Sequence, residues 1–201
     1  MTENYIFDFG RVLVEFDEYA MTAEYVHDKT AAEQISKIVF DRLYWDRLDD
    51  GSISDEQVLA GIAARVPAEY CDAACAAYLN WHKHLPVISG MPEILRELKA
   101  MGKGLYLLSN ISEGFALHYA EVPELKEMLG LFDGLVFSGP LRMVKPDAEI
   151  FKYLLNKYDL SPETCTFIDD SPKNIAGAKS IGVNTYLFDG NADKLRTFLK
   201  L

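Results

Sequence analysis

The segment Tyr5-Ile6-Phe7-Asp8-Phe9-Gly10-Arg11 decides how this chain is read. Its first three residues form a short apolar run that suits a buried strand. A carboxylate follows at once, at the mouth of a glycine turn. An acid there adds nothing to a core, and burying it unpaired is costly. It is well placed to offer an oxygen to a ligand. The arrangement recurs at Cys165-Thr166-Phe167-Ile168, which runs into Asp169-Asp170. Two strand ends carrying acids point to a metal or phosphate site.

Working outward, residues 5–9, 104–109, 134–138, 164–169 and 184–188 are short, apolar and unalternating, as buried parallel strands are. Helical patterns separate them. Met91-Pro92-Glu93 opens one that stops at Gly102, and Pro146-Asp147 opens another that runs through Tyr158. Ser161-Pro162-Glu163 reads as a helical turn, and Ser171-Pro172 caps a helix ending near Gly182. Strand-helix alternation predicts an α/β fold, a doubly wound parallel sheet of Rossmann-like form with right-handed crossovers.

Residues 15–86 break the rhythm. Apolar residues recur there at helical spacing: Tyr19, Ala23 and Val26; Ile35, Ile38 and Val39; Val58, Ile62 and Val66; Ala74, Tyr78 and Trp81. Ser54-Asp55-Glu56-Gln57 has the form of a capping box. About four helices are expected, with Leu43 and Leu48 in their core, forming a cap inserted after the first strand. The predicted organisation is a core of residues 1–14 and 87–201 with a helical cap of residues 15–86.

The net charge of −11 over 201 residues argues against general nucleic-acid binding, which neutralises phosphates with Lys and Arg. It leaves a small phosphorylated substrate open, since one local lysine outweighs a distant acidic surface. Cys71, Cys75 and Cys165 make no paired framework, which fits a reducing cytoplasm. Cys71 and Cys75 share a face of an alanine-rich helix and read as packing. The start Met1-Thr2-Glu3-Asn4 lacks the basic and apolar parts of a signal peptide. No apolar run approaches the ~20 residues that span a bilayer. A cytoplasmic monomer or weak dimer is expected, with no nucleic-acid or membrane partner.

In an open parallel sheet, ligands gather at the carboxyl ends of the strands. Four such positions carry polar groups: Asp8, Ser109-Asn110, Lys145-Pro146 and Asp169-Asp170. Alone, a Ser-Asn pair is a helix cap and a Lys-Pro pair a solvated turn. As an ordered set on one sheet edge they form a site. The chain resembles the haloacid dehalogenase superfamily, specifically its Mg2+-dependent phosphatases with a helical cap. The resemblance lies in Ile6-Phe7-Asp8-Phe9-Gly10, Leu107-Leu108-Ser109-Asn110, Val144-Lys145-Pro146 and Phe167-Ile168-Asp169-Asp170-Ser171-Pro172-Lys173-Asn174, followed by residues 175–182. The subgroup with glycine at the position of Gly10 includes bacterial phosphatases of sugar phosphates such as glucose 1-phosphate.

The resemblance implies roles. Asp8 is the nucleophile that forms an aspartyl-phosphate. Mg2+ is held by Asp8, the backbone carbonyl of Gly10 and Asp170, with Asp169 either a ligand or a partner behind the ligands. Lys145 neutralises phosphate charge and steadies Asp8, while Ser109 and the backbone amide of Asn110 bind phosphate oxygens. Asn174 orients the acidic pair. Most phosphatases of the superfamily place a second aspartate two residues after the nucleophile, as acid and base. Gly10 stands there instead, which removes a contribution of about 10²–10⁴-fold. Arg11, next door, stabilises a leaving oxygen but cannot protonate one. The expectation is a phosphatase for easier leaving groups, such as a sugar 1-phosphate. The alternatives are a dehalogenase, whose relatives also lack that aspartate, and a weak phosphate-binding or regulatory module. His27, His82 and His84 read as surface or packing residues, and a phosphomutase is disfavoured. Tyr44-Trp45-Asp46-Arg47 has groups that suit a sugar, although packing by Tyr44 and Trp45 is the simpler reading.

Overall fold

The computed structural model describes residues 3–201; Met1 and Thr2, which open the stretch read above for a signal peptide, lie outside the described residues. Strands β1 (Asn4–Phe7), β2 (Gly104–Ser109), β3 (Gly134–Phe137), β4 (Cys165–Asp169) and β5 (Asn184–Leu187) form a 5-stranded sheet in the order β3-β2-β1-β4-β5. The four pairings between these strands are all parallel. From β1 the chain winds outward through β2 and β3, then returns to the other side of β1 for β4 and β5. The winding therefore reverses beside β1, where the strand ends leave a crevice. Phe7 pairs with Leu107 and with Ile168, so Asp8 lies level with Asp169 and one step short of Ser109.

Between β1 and β2 come α1 (Glu18–Ala23), α2 (Lys29–Val39), α3 (Arg42–Asp49), α4 (Asp55–Ala63), α5 (Cys71–Asn80) and α6 (Met91–Ala100). The remaining helices are α7 (Glu113–His118), α8 (Pro123–Leu129), α9 (Ser138–Leu141), α10 (Ala148–Lys157), α11 (Pro172–Ser180) and α12 (Ala192–Leu199). Successive β1 side chains serve opposite faces of the sheet, as strand geometry requires. Phe7 packs with Ile94 and Leu95 of α6, Leu125 of α8 and Leu195 of α12. Ile6 packs with Phe151 and Leu154 of α10 and Ile175 of α11. Both faces are thus covered, which is why the strands are apolar without alternation.

Helices α1–α4 of the inserted segment start on polar caps. Asp17, Asp28 and Asp41 each accept a backbone N–H, and Ser54 with Gln57 forms a full capping box. The chain enters and leaves the segment side by side: Glu15 N donates to Pro86 O at 2.8 Å and Ile88 N to Leu13 O at 2.9 Å. The aromatic rings of Phe16, Phe40, Trp45 and Trp81 interlock at centroid distances of 5.1–5.8 Å, and Trp81 stacks on Phe115 of α7. One apolar cluster therefore runs from the sheet into the inserted helices.

Three expectations are corrected. Leu43 is not core: it is 59% exposed, because α3 buries the face of Tyr44, Trp45 and Leu48 and turns Leu43 outward with Arg47. Ser138 does not extend β3; it begins α9, and its hydroxyl accepts from Ile111 N at 2.8 Å. The fifth strand is not fully buried either, since β5 is an edge strand with Leu187 49% exposed.

Gly177 marks the tightest helix contact behind the site. A Cβ there would stand 2.3 Å from the carbonyl oxygen of Pro146. Gly177→Ala is expected to destabilise the protein by about 1–3 kcal/mol through overpacking. Thermal unfolding checks this; an unchanged Tm would mean that α11 is free to move away.

Candidate active site

The sheet edge assembles its charged groups because Asp8 and Asp169-Asp170 sit where strands stop and Lys145 sits in the turn between α9 and α10. Asp8 follows β1, and its Oδ1 accepts from Phe9 N at 2.7 Å. Lys145 precedes α10, and its Nζ lies 2.7 Å from Asp8 Oδ1 and 2.8 Å from Asp169 Oδ2. The ammonium is buried, with 1% of its side chain exposed, so both ion pairs are shielded from solvent. The Lys145 backbone is fixed by Asn110. The Asn110 side chain donates to Lys145 O at 2.9 Å and accepts from Lys145 N at 2.8 Å. This leaves the Asn110 side chain occupied and only its backbone to face a ligand.

Asp169 is fully buried and accepts at both oxygens. Oδ1 takes Ser171 N at 2.8 Å, Oδ2 takes Lys145 Nζ at 2.8 Å, and Asn174 Nδ2 reaches the two oxygens at 3.1 and 3.0 Å. Asp8, Asp169 and Asp170 each present an oxygen, all within 4.8 Å of one another. Among the described residues this is the one such cluster of acid, His or Cys groups. Burial raises the Asp8 carboxyl to about 7, against the pull of Lys145 and with a further push from Asp169. Burial and Asp169 also raise Asp170, while Arg11 opposes them. Lys145 stays charged: burial disfavours its ammonium, but Asp8 and Asp169 together raise its pKa. Three acids thus share one buried lysine, and the excess negative charge suits an added cation. The donors are hard oxygens, the set that Mg2+ prefers.

Above the strand ends lies a cavity of about 520 Å³. Its floor includes Gly10, Ser109, Asn110, Lys145 and Asp170, and the buried Asp8 and Asp169 join that floor through Lys145 rather than lining the cavity themselves. Arg11, in the left-handed region at φ 60, also lines it, as do Lys173 and Asn174. The roof comes from the inserted helices and the chain leading into them. Phe16, Trp45 and Trp81 supply an aromatic wall, and Glu18, Arg42 and Asp49 supply polar groups. Gly10 leaves space: a Cβ there would meet nothing within 4 Å.

The histidines read as surface or packing residues do not line this cavity. His84 bonds Tyr25 at 2.9 Å, and His82 is buried, lining a separate cavity of about 260 Å³. Trp45 both packs and lines the main cavity, whereas Tyr44 is buried against Gly61. Sequence reasoning missed Phe16, Glu18, Arg42 and Asp49. Nothing in their local sequence distinguishes them from other helix residues; only the fold of α1 and α3 over the sheet brings them here.

A family model for haloacid dehalogenase-like hydrolases matches residues 4–182. The chain is 26% identical over 188 residues to the sesquiterpene phosphatase astK of Aspergillus oryzae, covering 93% of this chain and 90% of that one. It is 25% identical over 199 residues to the D-ribitol-5-phosphate phosphatase of Bacteroides thetaiotaomicron, covering 96% and 95%. It also aligns at 27% identity with drimenol cyclase drtB of Aspergillus calidoustus, of whose length it spans only 34%. Among solved structures, it superposes at a TM-score of 0.72 on a HAD family enzyme of Bacteroides thetaiotaomicron in complex with magnesium and inorganic phosphate. That likeness covers 98% of this chain and 100% of the other, and at 23% identity it shows the shared fold.

Proposed function

This chain belongs to the haloacid dehalogenase-like hydrolases, and on that premise we propose that it is a Mg2+-dependent phosphatase acting on a small phosphorylated metabolite through an aspartyl-phosphate at Asp8. The observation that carries the reading is the three-acid cluster around one buried lysine at the floor of the cavity. The relatives named as phosphatases support the reaction class. A 2-haloacid is a poorer match, because dehalogenation at a carboxylate needs no metal and gives the three gathered acids no role.

The roles follow from which atoms are free. Both Asp169 oxygens are engaged by Lys145, Asn174 and Ser171, so Asp169 holds the site in shape rather than binding metal. Asp8, Asp170 and the Gly10 carbonyl are left to hold Mg2+. When bound, the ion offsets the repulsion between the Asp8 carboxylate and a phosphate dianion. Asp8 attacks phosphorus with one carboxylate oxygen. Lys145 keeps that carboxylate aimed and balances charge as the phosphoryl group transfers. Ser109 Oγ and the Asn110 backbone amide bind the phosphoryl oxygens. Arg11 lies close enough to Asp170 to temper the acid charge at the rim.

A sugar or sugar-alcohol phosphate fits the rest of the cavity, with a hexose 1-phosphate as the first candidate. The aromatic wall suits the apolar face of a sugar, and Glu18 and Arg42 offer partners for hydroxyls. A hydrocarbon chain would instead cover Glu18 and Asp49 without offering them partners, which is costly. Two outcomes are expected. Chelation of divalent ions abolishes phosphate release and added Mg2+ restores it, as a colorimetric phosphate assay reads; release unaffected by chelation would refute the metal role. In a substrate panel, sugar phosphates outrun prenyl phosphates in kcat/KM, and the reverse order would overturn the substrate class.

A further inference from the structure

The proposed reaction needs a proton at the leaving oxygen, and Gly10 has no side chain to give one. A sugar hydroxyl leaves poorly as an alkoxide, so another group must supply the proton. From the geometry we infer that Asp49, at the end of α3, is the general acid and base of this site, reaching the leaving oxygen from the inserted helices. The inference rests on the phosphatase reading and adds a residue and a role to it.

Several observations meet at Asp49. Its side chain lines the same cavity as Ser109, Lys145 and Asp170. Among the described residues it has no hydrogen-bond partner, and the nearby Arg42 is paired with Asp46. Its position is fixed to the catalytic wall by the turn that follows. Gly51 has φ +69, and a Cβ there would lie 2.5 Å from Gly139 O, so only glycine lets this turn rest on α9. Gly139 N in turn donates to Ile111 O at 3.0 Å, beside Ser109 and Asn110. The open space at Gly10 leaves a leaving group free to extend toward α3.

The electrostatics agree. Burial lifts the Asp49 carboxyl to about 7; Arg42 and Lys145 pull it down, while Asp46 and Asp8 push it up. Arg11, Glu18, Asp170 and Lys173 are the other charged groups lining the cavity. An acid poised near neutrality both donates and accepts protons at working pH.

The proton balance closes over two steps. Asp8 attacks phosphorus, the bond from phosphorus to the leaving oxygen breaks, and that oxygen takes the Asp49 proton. The products are the aspartyl-phosphate, a neutral alcohol and the Asp49 carboxylate. Asp49 then takes a proton from water as the water oxygen attacks phosphorus. The bond between Asp8 and phosphorus breaks, phosphate leaves, and Asp49 is again the acid.

The test is single-turnover phosphorylation of Asp8 in Asp49→Asn with Mg2+ present. One substrate is p-nitrophenyl phosphate, whose leaving group departs without a proton. The other is the alkyl phosphate that wild type uses fastest. The nitrophenyl rate should stay within about threefold, which also shows that the variant is folded, while the alkyl rate should fall about 10²-fold or more. In wild type the alkyl rate should also fall as pH rises through about 7, and the variant should lack that limb. Equal losses on both substrates, no loss on either, or a basic limb that survives in Asp49→Asn would overturn the inference. If wild type forms no phosphorylated Asp8 with any substrate, the phosphatase reading itself has failed.

Discussion

Asp8→Asn is expected to lower steady-state phosphate release by about 10⁴-fold or more, because a lost nucleophile is not replaced by its neighbours. The amide keeps the shape of the carboxyl group but offers no anionic oxygen to phosphorus. The fold should survive, since Lys145 keeps its 2.8 Å pair with Asp169 and Phe9 N keeps an acceptor. The variant should still bind inorganic phosphate, through Ser109, the Asn110 amide and Lys145. Steady-state assay and thermal unfolding together check this. A variant that is folded and active within tenfold would remove Asp8 from the chemistry.

Lys145→Met is expected to damage both activity and stability. The buried ammonium is the one cation in direct contact with Asp8 and Asp169 among the described residues. Removing it leaves two buried carboxyl groups without their partner, a change that typically costs about 3–5 kcal/mol. The sign of the pH dependence follows from Asp8, whose carboxyl stands above its ordinary value because of burial. A group raised in this way contributes stability at low pH that is lost as pH rises through its folded value. Lys145 opposes the rise, so its loss pushes Asp8 higher still. In metal-free protein the Tm deficit of Lys145→Met should therefore be largest above pH 7 and narrow toward pH 5. A deficit that is constant with pH would mean that the lysine acts through packing alone. With Mg2+ present, phosphate release should fall about 10²–10³-fold, the scale of one lost electrostatic stabiliser.

Much of this architecture is legible in local sequence because a strand end that carries an acid violates core chemistry. Asp8, Asp169 and Asp170 stand out for that reason, and the apolar runs before them predict the central parallel strands. The capping box at Ser54 and the proline starts at Pro92 and Pro172 place helices well, since caps depend on neighbouring residues only. What is not legible depends on tertiary placement. Leu43 is apolar and helical, yet α3 rotates it to solvent because Trp45 and Leu48 claim the buried face. The bonds of the Asn110 side chain to the Lys145 backbone join residues 35 apart, so local sequence does not reveal them. Asp49 sits in Leu48-Asp49-Asp50-Gly51, an ordinary helix end by composition. Its proximity to Lys145 and Asp8 arises only because Gly51 lets that end lie against α9. The glycine at position 10 suggests a catalytic gap when the chain is read locally, while the folded cavity offers an acid from across the insertion.

The central claim is covalent chemistry at Asp8, and the most direct measurement is chemical trapping. Protein mixed with Mg2+ and an excess of phosphorylated substrate is quenched in acid, reduced with borohydride and analysed by peptide mass spectrometry. The account predicts conversion of Asp8, and of no other aspartate, to homoserine, dependent on substrate and absent in Asp8→Asn. Turnover that proceeds while Asp8 remains unmodified, or trapping at a different residue, would contradict it.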